Sequence, residues 1–205
     1  MSATPPFDFA QGRESVERQM RVFRQPPRPR KIAGLFKAWI ILLCVGLSLA
    51  STTAAADVLN DAAKLRRIEA MAEDHRKDFP SVADISAQRA LGLANSGRAL
   101  FVDHRKESEQ AVSKLPQAVS SKAFLKNPKA YADRILVAYC TIGYRSGKLA
   151  RKLQKKGLSV LNLWGGILAW LHAGGKVYKD SRPVQRVHVY GKKWDLAPSA
   201  YEAVR

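Results

Sequence analysis

Short apolar runs alternate with amphipathic stretches along the chain from Pro80 onward. The runs are four or five residues long and are bounded by turn residues, as buried strands are. They are Ala99–Asp103, Ile135–Tyr139 and Val160–Leu163, and a further strand is expected near Ala118-Val119. Buried strands separated by helices predict an α/β fold in which a parallel sheet is covered by helices.

Three amphipathic stretches predict the covering helices. They are residues 85–94, capped by Asp84 and ended by Asn95-Ser96-Gly97, the basic stretch 147–156, stopped by Gly157, and residues 167–172 after a Gly165-Gly166 turn. Pairs of glycines and an Asn-Ser-Gly sequence are typical turn signals, so these boundaries follow from local chemistry.

The first 79 residues have a different pattern. Residues 1–37 are rich in Pro and Arg without an apolar period, which predicts a disordered basic segment, shorter if translation begins at Met20. Residues 38–56 carry no charge over 19 positions and end in Ala54-Ala55-Ala56, which predicts a secretory signal cleaved after Ala56 or an uncleaved membrane anchor. A core helix is a third, disfavoured interpretation. Residues 57–79 predict a helical linker.

The basic flank before residues 38–56 should stay in the cytoplasm. Both favoured interpretations therefore predict export across the cytoplasmic membrane, with the folded part periplasmic or anchored and facing the periplasm. Possible membrane association through residues 38–56 follows from the anchor interpretation alone.

The charge is strongly basic, with 35 Lys and Arg against 17 Asp and Glu and a net charge of +18. Residues 1–56 hold eight of the basic and three of the acidic residues, which leaves 27 against 14 in residues 57–205. Such a surface attracts anions of several kinds. The Lys and Arg are scattered along helices rather than interleaved with aromatic residues, so we expect no nucleic-acid partner.

The chemistry centres on Cys140, the only cysteine of residues 57–205. Cys44, inside the apolar run, is interpreted as a small hydrophobic residue. Cys140 follows a predicted buried strand and precedes a predicted helix, where unpaired backbone N–H groups form an anion cradle. The amides of residues 141–145, the positive helix end and Arg145 would stabilise an ionised sulfur nucleophile.

Three segments resemble the rhodanese family of sulfurtransferases. The segment Cys140-Thr141-Ile142-Gly143-Tyr144-Arg145-Ser146 is similar to the family's active-site loop, Cys-x-x-Gly-x-Arg-Ser. Asp103-His104-Arg105 is similar to its Asp-x-Arg segment, and Gly165 to Trp170 to its closing Gly-Gly-x-x-x-Trp segment. All three occur in the family order.

The resemblance implies a three-layer α/β/α domain over residues 80–180 with a central, mostly parallel five-stranded sheet, followed by a C-terminal extension at 181–205. It implies a ping-pong reaction in which Cys140 takes a sulfane sulfur from a small anionic donor such as thiosulfate and passes it, as a persulfide, to cyanide or a thiol. No metal or organic cofactor is expected. The implied site residues are Cys140 as nucleophile, Thr141, Ile142, Gly143, Tyr144, Arg145 and Lys148 around the substrate, and Asp103 and Arg105 as a structural ion pair.

One segment departs from the family. Where many members have Gly-His-Ile-Pro-Gly-Ala, this chain has Ser113-Lys114-Leu115-Pro116-Gln117-Ala118, so the turn must be built without the two glycines.

Three other functions compete with this interpretation. A cysteine phosphatase or arsenate reductase is disfavoured, because those enzymes have five residues between Cys and Arg and this chain has four. A thiol-disulfide oxidoreductase is disfavoured, because residues 57–205 offer no second cysteine. A non-catalytic rhodanese-like module that binds a partner or senses sulfur species stays open, although the intact Cys140 and Arg145 favour catalysis.

Overall fold

The computed structural model describes the backbone of residues 35–205 and the side chains of residues 56–205. Two predicted segments lie outside the fully described residues: the disordered segment 1–37 and, except for Ala56, the signal or anchor segment 38–56. Both stay predictions. Within the part of the chain that is described, no helix has the length and apolarity needed to cross a membrane.

Helices and strands alternate through the described chain. The helices are α1 Leu35–Arg76, α2 Ala87–Asn95, α3 Glu107–Val112, α4 Ser121–Lys126, α5 Tyr144–Gln154 and α6 Gly166–His172, with 3₁₀ turns at Pro128–Tyr131 and Lys192–Trp194. The strands are β1 Asp84–Ile85, β2 Ala99–Asp103, β3 Val119–Ser120, β4 Ile135–Tyr139, β5 Val160–Leu163, β6 Val177–Lys179, β7 Arg182–Val184, β8 Arg186–His188 and β9 Glu202–Val204.

The central sheet has five strands in the order β1-β5-β4-β2-β3, and every neighbouring pair is parallel. β4, which leads into the cysteine, lies in the middle and pairs with β2 along its whole length. The predicted α/β class and the parallel five-stranded sheet are confirmed, and the predicted bounds of β2, β4 and β5 match the structure.

Two apolar cores lie on opposite faces of the sheet. Successive side chains of a strand point to opposite faces, and Phe101 and Val137 belong to one core whereas Val102 and Ala138 belong to the other. The first core is completed by α6 and α2, and the second by α5 and by Phe124 of α4. The domain is therefore a three-layer α/β/α sandwich.

The segments that flank the sheet domain also contribute to the first core. On the N-terminal side, Ile68 of α1 is fully buried in it, within the stretch predicted as a linker. On the C-terminal side, β6 and β7 form an antiparallel hairpin, β8 pairs with β9 in parallel, and Val187 and Val189 are fully buried. Both flanks are thus packed on the sheet domain.

Two predicted boundaries were wrong. Asp84 does not cap a helix, because it lies in β1 and its carboxylate accepts a hydrogen bond from Asn162; the cap of α2 is Ser86, whose hydroxyl accepts from the Arg89 amide. α5 begins at Tyr144 instead of Gly147, since the left-handed Gly143 turns the chain directly into the helix.

Candidate active site

Cys140 directly follows the last residue of β4, at the carboxyl edge of the sheet. Its Sγ accepts a hydrogen bond from the Gly143 amide at 3.3 Å, and the residue is 1% exposed. Gly143 has φ +96, and a Cβ there would lie 3.2 Å from the Leu163 carbonyl oxygen, so both conformation and space favour glycine. The loop therefore folds its own backbone around the sulfur.

The start of α6 closes the back of the loop. The Ile167 amide donates to the Cys140 carbonyl oxygen at 2.9 Å, and the Leu168 amide donates to that of Thr141 at 3.3 Å. A Cβ on Gly166 would lie 2.5 Å from the Cys140 carbonyl oxygen, closer than nonbonded atoms approach. The Gly-Gly turn thus serves to let one backbone pack directly against another.

Arg145 is held by Glu109 of α3. The two Nη atoms of Arg145 donate to the two carboxylate oxygens of Glu109 at 2.7 and 2.8 Å, and Nη2 also donates to the Thr141 hydroxyl at 2.9 Å. The Glu109 side chain is fully buried, and the Lys106 amide donates to it at 2.9 Å. The guanidinium is therefore charge-compensated beside the cysteine loop.

Both partners have shifted pKa values. Burial alone would raise the pKa of Glu109, but hydrogen bonds from Arg145 and from the Lys106 amide lower it below its ordinary value. Burial alone would lower the pKa of Arg145, but Glu109 and the Cys140 sulfur raise it. Each group therefore stabilises the charged form of the other.

A series of hydrogen-bonded polar side chains supports the first turn of α5. The Ser146 hydroxyl donates to the Asn162 side-chain oxygen at 2.7 Å and to the Gly143 carbonyl oxygen at 3.1 Å. The amide nitrogen of Asn162 in turn donates to Asp84 at 2.9 Å. This chain ties the loop to strands β5 and β1.

Asp103 and Arg105 form a fully buried ion pair at 2.7 Å, away from the sulfur. The Tyr139 hydroxyl donates to Asp103 at 2.5 Å, and Arg105 also donates to the Ser113 carbonyl oxygen at 2.6 Å. The Ser113 hydroxyl then donates to the backbone of β8. The pair therefore joins the end of β4 to the C-terminal extension.

A cavity of about 310 Å³ opens onto Cys140. It brings together five of the predicted site residues, and three further aromatic rings line it. Its lining consists of Cys140, Thr141, Ile142, Tyr144, Arg145, His75, Tyr190 and Trp194.

The aromatic rings of the cavity pack on one another and on Arg145. Tyr190 lies over the Arg145 guanidinium at 4.8 Å and meets Trp194 edge-on at 5.2 Å. The His75 ring lies 4.8 Å from that of Tyr144. Burial lowers the pKa of His75, and the nearby charges of Asp74 and Asp78 offset this only in part.

Lys148 does not line the cavity. Its Nζ lies 4.6 Å from the ring centre of Tyr144, on an exposed part of α5. The Nζ of Lys106 lies 5.6 Å from the ring centre of Tyr190. The Nζ of Lys193 lies 5.7 Å from the ring centre of Trp194. These three lysines thus lie around the aromatic wall.

Four site residues escaped the sequence analysis: Glu109, His75, Tyr190 and Trp194. A buried arginine requires a carboxylate partner, so one partner for Arg145 could have been expected, but the pattern around Glu109 does not distinguish it from Glu107. The other three lie in flanking segments whose position depends on tertiary packing. No local signal marks them.

A family model and a known protein are similar in sequence to part of the chain. The family model described as "Rhodanese-like domain" matches residues 86–173. A protein named "Sulfurtransferase" from Allochromatium vinosum is 36% identical over 86 residues, which are 40% of this chain and 80% of that protein. The chain therefore belongs to the rhodanese-like domain family.

Solved structures also resemble the chain. One, from Rhodopseudomonas palustris, is described as a protein of unknown function and possible tyrosine phosphatase; it is 28% identical, with a TM-score of 0.44, over 54% of this chain and 93% of its own. Another is a thiosulfate sulfurtransferase from Pseudomonas aeruginosa, 18% identical, with a TM-score of 0.45, over 55% of this chain and 23% of its own.

Proposed function

We propose that the protein is a sulfurtransferase that carries a sulfane sulfur on Cys140. The position of Cys140 supports this most directly: its Sγ lies at the carboxyl end of the central strand, takes a hydrogen bond from the Gly143 amide and lines a cavity. The name of the Allochromatium vinosum relative is in keeping with this chemistry.

The reaction has two displacement steps. The Cys140 thiolate attacks the outer sulfur of thiosulfate, a Cys140 S–S bond forms, and the S–S bond of the donor breaks with its electron pair leaving on sulfite. A thiolate or cyanide then attacks the terminal sulfur of the persulfide and releases the Cys140 thiolate. No external oxidant or reductant enters, because each step passes the same sulfane sulfur from one nucleophile to the next, with one bond formed and one broken.

The neighbouring residues have distinct tasks in this proposal. The Gly143 amide, 3.3 Å from Sγ, stabilises negative charge on the sulfur. Arg145 positions the loop through Glu109 and Thr141 and adds positive charge near the sulfur. Thr141 and Ile142 shape the cavity wall beside the reacting atoms.

The test compares three full-length proteins: wild type, Cys140→Ser and, as matched control, Cys44→Ser. Each is incubated with thiosulfate, its intact mass is measured, and thiocyanate is quantified after cyanide is added. We expect wild type and Cys44→Ser to gain one sulfur atom and turn over, and Cys140→Ser to do neither. Turnover by Cys140→Ser at the wild-type rate would refute the role of Cys140, whereas no sulfur uptake from any sulfane donor would favour the non-catalytic binding module.

Export is a separate proposal that rests on the sequence of residues 38–56. We infer that this uncharged stretch, preceded by a basic flank, directs the domain across the cytoplasmic membrane. Cell fractionation with detection of the C-terminal part would test it. Recovery in the periplasmic or membrane fraction is expected, and recovery of full-length protein in the cytosol alone would contradict it.

A further inference from the structure

Most of the positive charge of the folded part lies in one segment of the chain. Residues 121–159 hold ten Lys and Arg against a single acidic residue, a net charge of +9. Residues 57–120 hold ten basic and ten acidic residues, and residues 160–205 hold seven basic against three acidic. The excess charge is therefore not spread over the surface but belongs mainly to the segment between β3 and β5.

The helices of this segment cover the same side of the sheet. Phe124 of α4 and Leu149 and Leu153 of α5 are buried in the second core. The exposed side chains of these helices, and of the turns that follow them, therefore point away from the sheet. Eight of them are cations, which we call the basic face: Lys122, Lys126, Lys129, Lys148, Arg151, Lys152, Lys155 and Lys156.

Carboxylates neutralise little of the basic face. Lys122 lies 3.6 Å from Glu107, but both side chains are at least 80% exposed, so this ion pair is weak. Arg151 donates to the backbone carbonyl oxygen of Asp78, which leaves its charge uncompensated. Among the described residues, no carboxylate lies within ion-pair distance of the six other lysines. The face therefore keeps a positive charge that an anionic partner can neutralise.

The side chains of the basic face favour a lipid surface over a nucleic acid. Seven of the eight cations are lysines, compact charges that attract phosphate without the bidentate geometry of arginine. Leu125, 45% exposed, stands among them in α4, and an apolar side chain gains from contact with the headgroup region of a bilayer. Nucleic-acid sites commonly add aromatic rings for base stacking, whereas Phe124 and Tyr131 stack on each other.

We propose that the basic face binds the surface of a membrane that contains anionic phospholipids. Each lysine near such a surface strengthens binding about fivefold, and Leu125 adds apolar contact. The binding is reversible and depends on salt, because salt screens the attraction between lysines and lipid phosphates. α5 begins at Tyr144, which lines the cavity at Cys140, so binding through this face keeps the active site near the bilayer.

The test compares the full-length wild type with two triple variants of equal charge. The first reverses three charges of the basic face: Lys126→Glu, Lys152→Glu and Lys155→Glu. The second, the matched control, reverses three exposed charges in and beside β6 and β7: Lys176→Glu, Lys179→Glu and Arg182→Glu. Binding constants are measured by co-sedimentation with vesicles of phosphatidylcholine alone and of an equal mixture of phosphatidylcholine and phosphatidylglycerol.

The ratio of the binding constants for anionic and neutral vesicles isolates the electrostatic contribution. Apolar insertion by residues 38–56 is common to both kinds of vesicle, and the basic charges of residues 1–37 are common to all three proteins. At an ionic strength of about 0.15 M we expect the ratio to fall at least tenfold in the basic-face variant. It should change by less than about threefold in the control variant, because charges more than about 8 Å from the lipid are screened.

A footprint on the wild type tests the same contact without any substitution. Trace acetylation of lysines is followed by mass spectrometry with each kind of vesicle. On anionic vesicles, acetylation of Lys126 and Lys155 should slow by roughly threefold or more relative to that of Lys179, and high salt should abolish the difference. On neutral vesicles the relative rates should not change. This measurement decides the question if a triple variant fails to fold.

Three results would overturn the proposal. Equal ratios in the two triple variants would show that net charge, and not the basic face, determines binding. A wild-type ratio near one, with Lys126 and Lys179 acetylated alike on both vesicles, would show that the face does not contact lipid. Loss of duplex DNA binding in the basic-face variant with an unchanged vesicle ratio would assign the face to nucleic acid. None of these results depends on sulfur transfer by Cys140, so the proposed function is tested separately.

Discussion

Replacing Glu109 by Gln leaves Arg145 charged beside the cysteine loop without its counter-ion. The amide keeps the size of the side chain and one oxygen, so the change removes the negative charge and the two hydrogen bonds that the replaced oxygen accepts, one of them from Arg145. Removing one member of a buried ion pair costs about 3–5 kcal/mol. Since the Arg145 side chain is 29% exposed and water screens it in part, we expect a loss of about 2–3 kcal/mol in the free energy of unfolding.

Urea unfolding of full-length protein measures this loss, with Glu107→Gln as the matched control. Glu107 lies in the same helix but is 86% exposed and 3.6 Å from Lys122, so its removal should change stability by less than about 0.5 kcal/mol. The variant Arg145→Met and the double variant complete a cycle with Glu109→Gln. Equal losses for Glu109→Gln and Glu107→Gln would refute the ion-pair argument. Additive losses for Glu109→Gln and Arg145→Met would refute it as well.

The pH dependence gives an independent check with a defined sign. The pKa of Glu109 is lowered from its ordinary value of 4.5 in the folded protein. Its stabilisation is therefore complete above that ordinary value and is lost as the pH falls through the lower folded value. The stability gap between wild type and Glu109→Gln should be constant near pH 7 and should close on acidification. A gap that widens in acid would contradict the assignment.

Three further substitutions test the fold around the site by urea unfolding. Gly166→Ala should lower the free energy of unfolding by about 1–3 kcal/mol more than Gly97→Ala. Both glycines have positive φ, but only at Gly166 would a Cβ lie 2.5 Å from the Cys140 carbonyl oxygen. Equal losses would argue against this close approach. Gln117→Gly should stabilise by about 0.5–1 kcal/mol by relieving φ +54 at an exposed residue; a loss would contradict this. Tyr139→Phe should cost about 1.5–3 kcal/mol, since Asp103 loses a buried donor; no change would show that another donor replaces it.

The central sheet could be predicted from sequence because its strands are buried on both faces. Such strands appear as continuous apolar runs, and the predicted bounds of β2, β4 and β5 match the structure. The place of Cys140 at a strand end followed from the same pattern. Short strands such as β1, with two residues, carry no such signal, and for this reason Asp84 was misinterpreted as a helix cap.

The loop itself was only partly predictable. Gly143 was placed in the loop around the substrate, but its hydrogen bond to the sulfur and the immediate start of α5 depend on a single backbone conformation, φ +96. Glu109 lies 36 residues before its partner Arg145 and depends on how α3 packs. Gln117 stands where many family members have a glycine and has a left-handed φ of +54, which a pattern of residue types does not reveal.

The parts that enclose the nucleophile come later in the chain than the nucleophile. The Gly166 turn closes the back of the loop, and Tyr190 and Trp194 complete the cavity wall. A ribosome adds about 5–20 residues per second, so roughly 3–11 seconds pass between the synthesis of Cys140 and that of Trp194. During this interval the sulfur lacks the shelter that leaves it 1% exposed in the finished fold. The thiol is therefore most open to oxidants while the chain is still being made, and the yield of active protein should depend on the redox conditions of its synthesis.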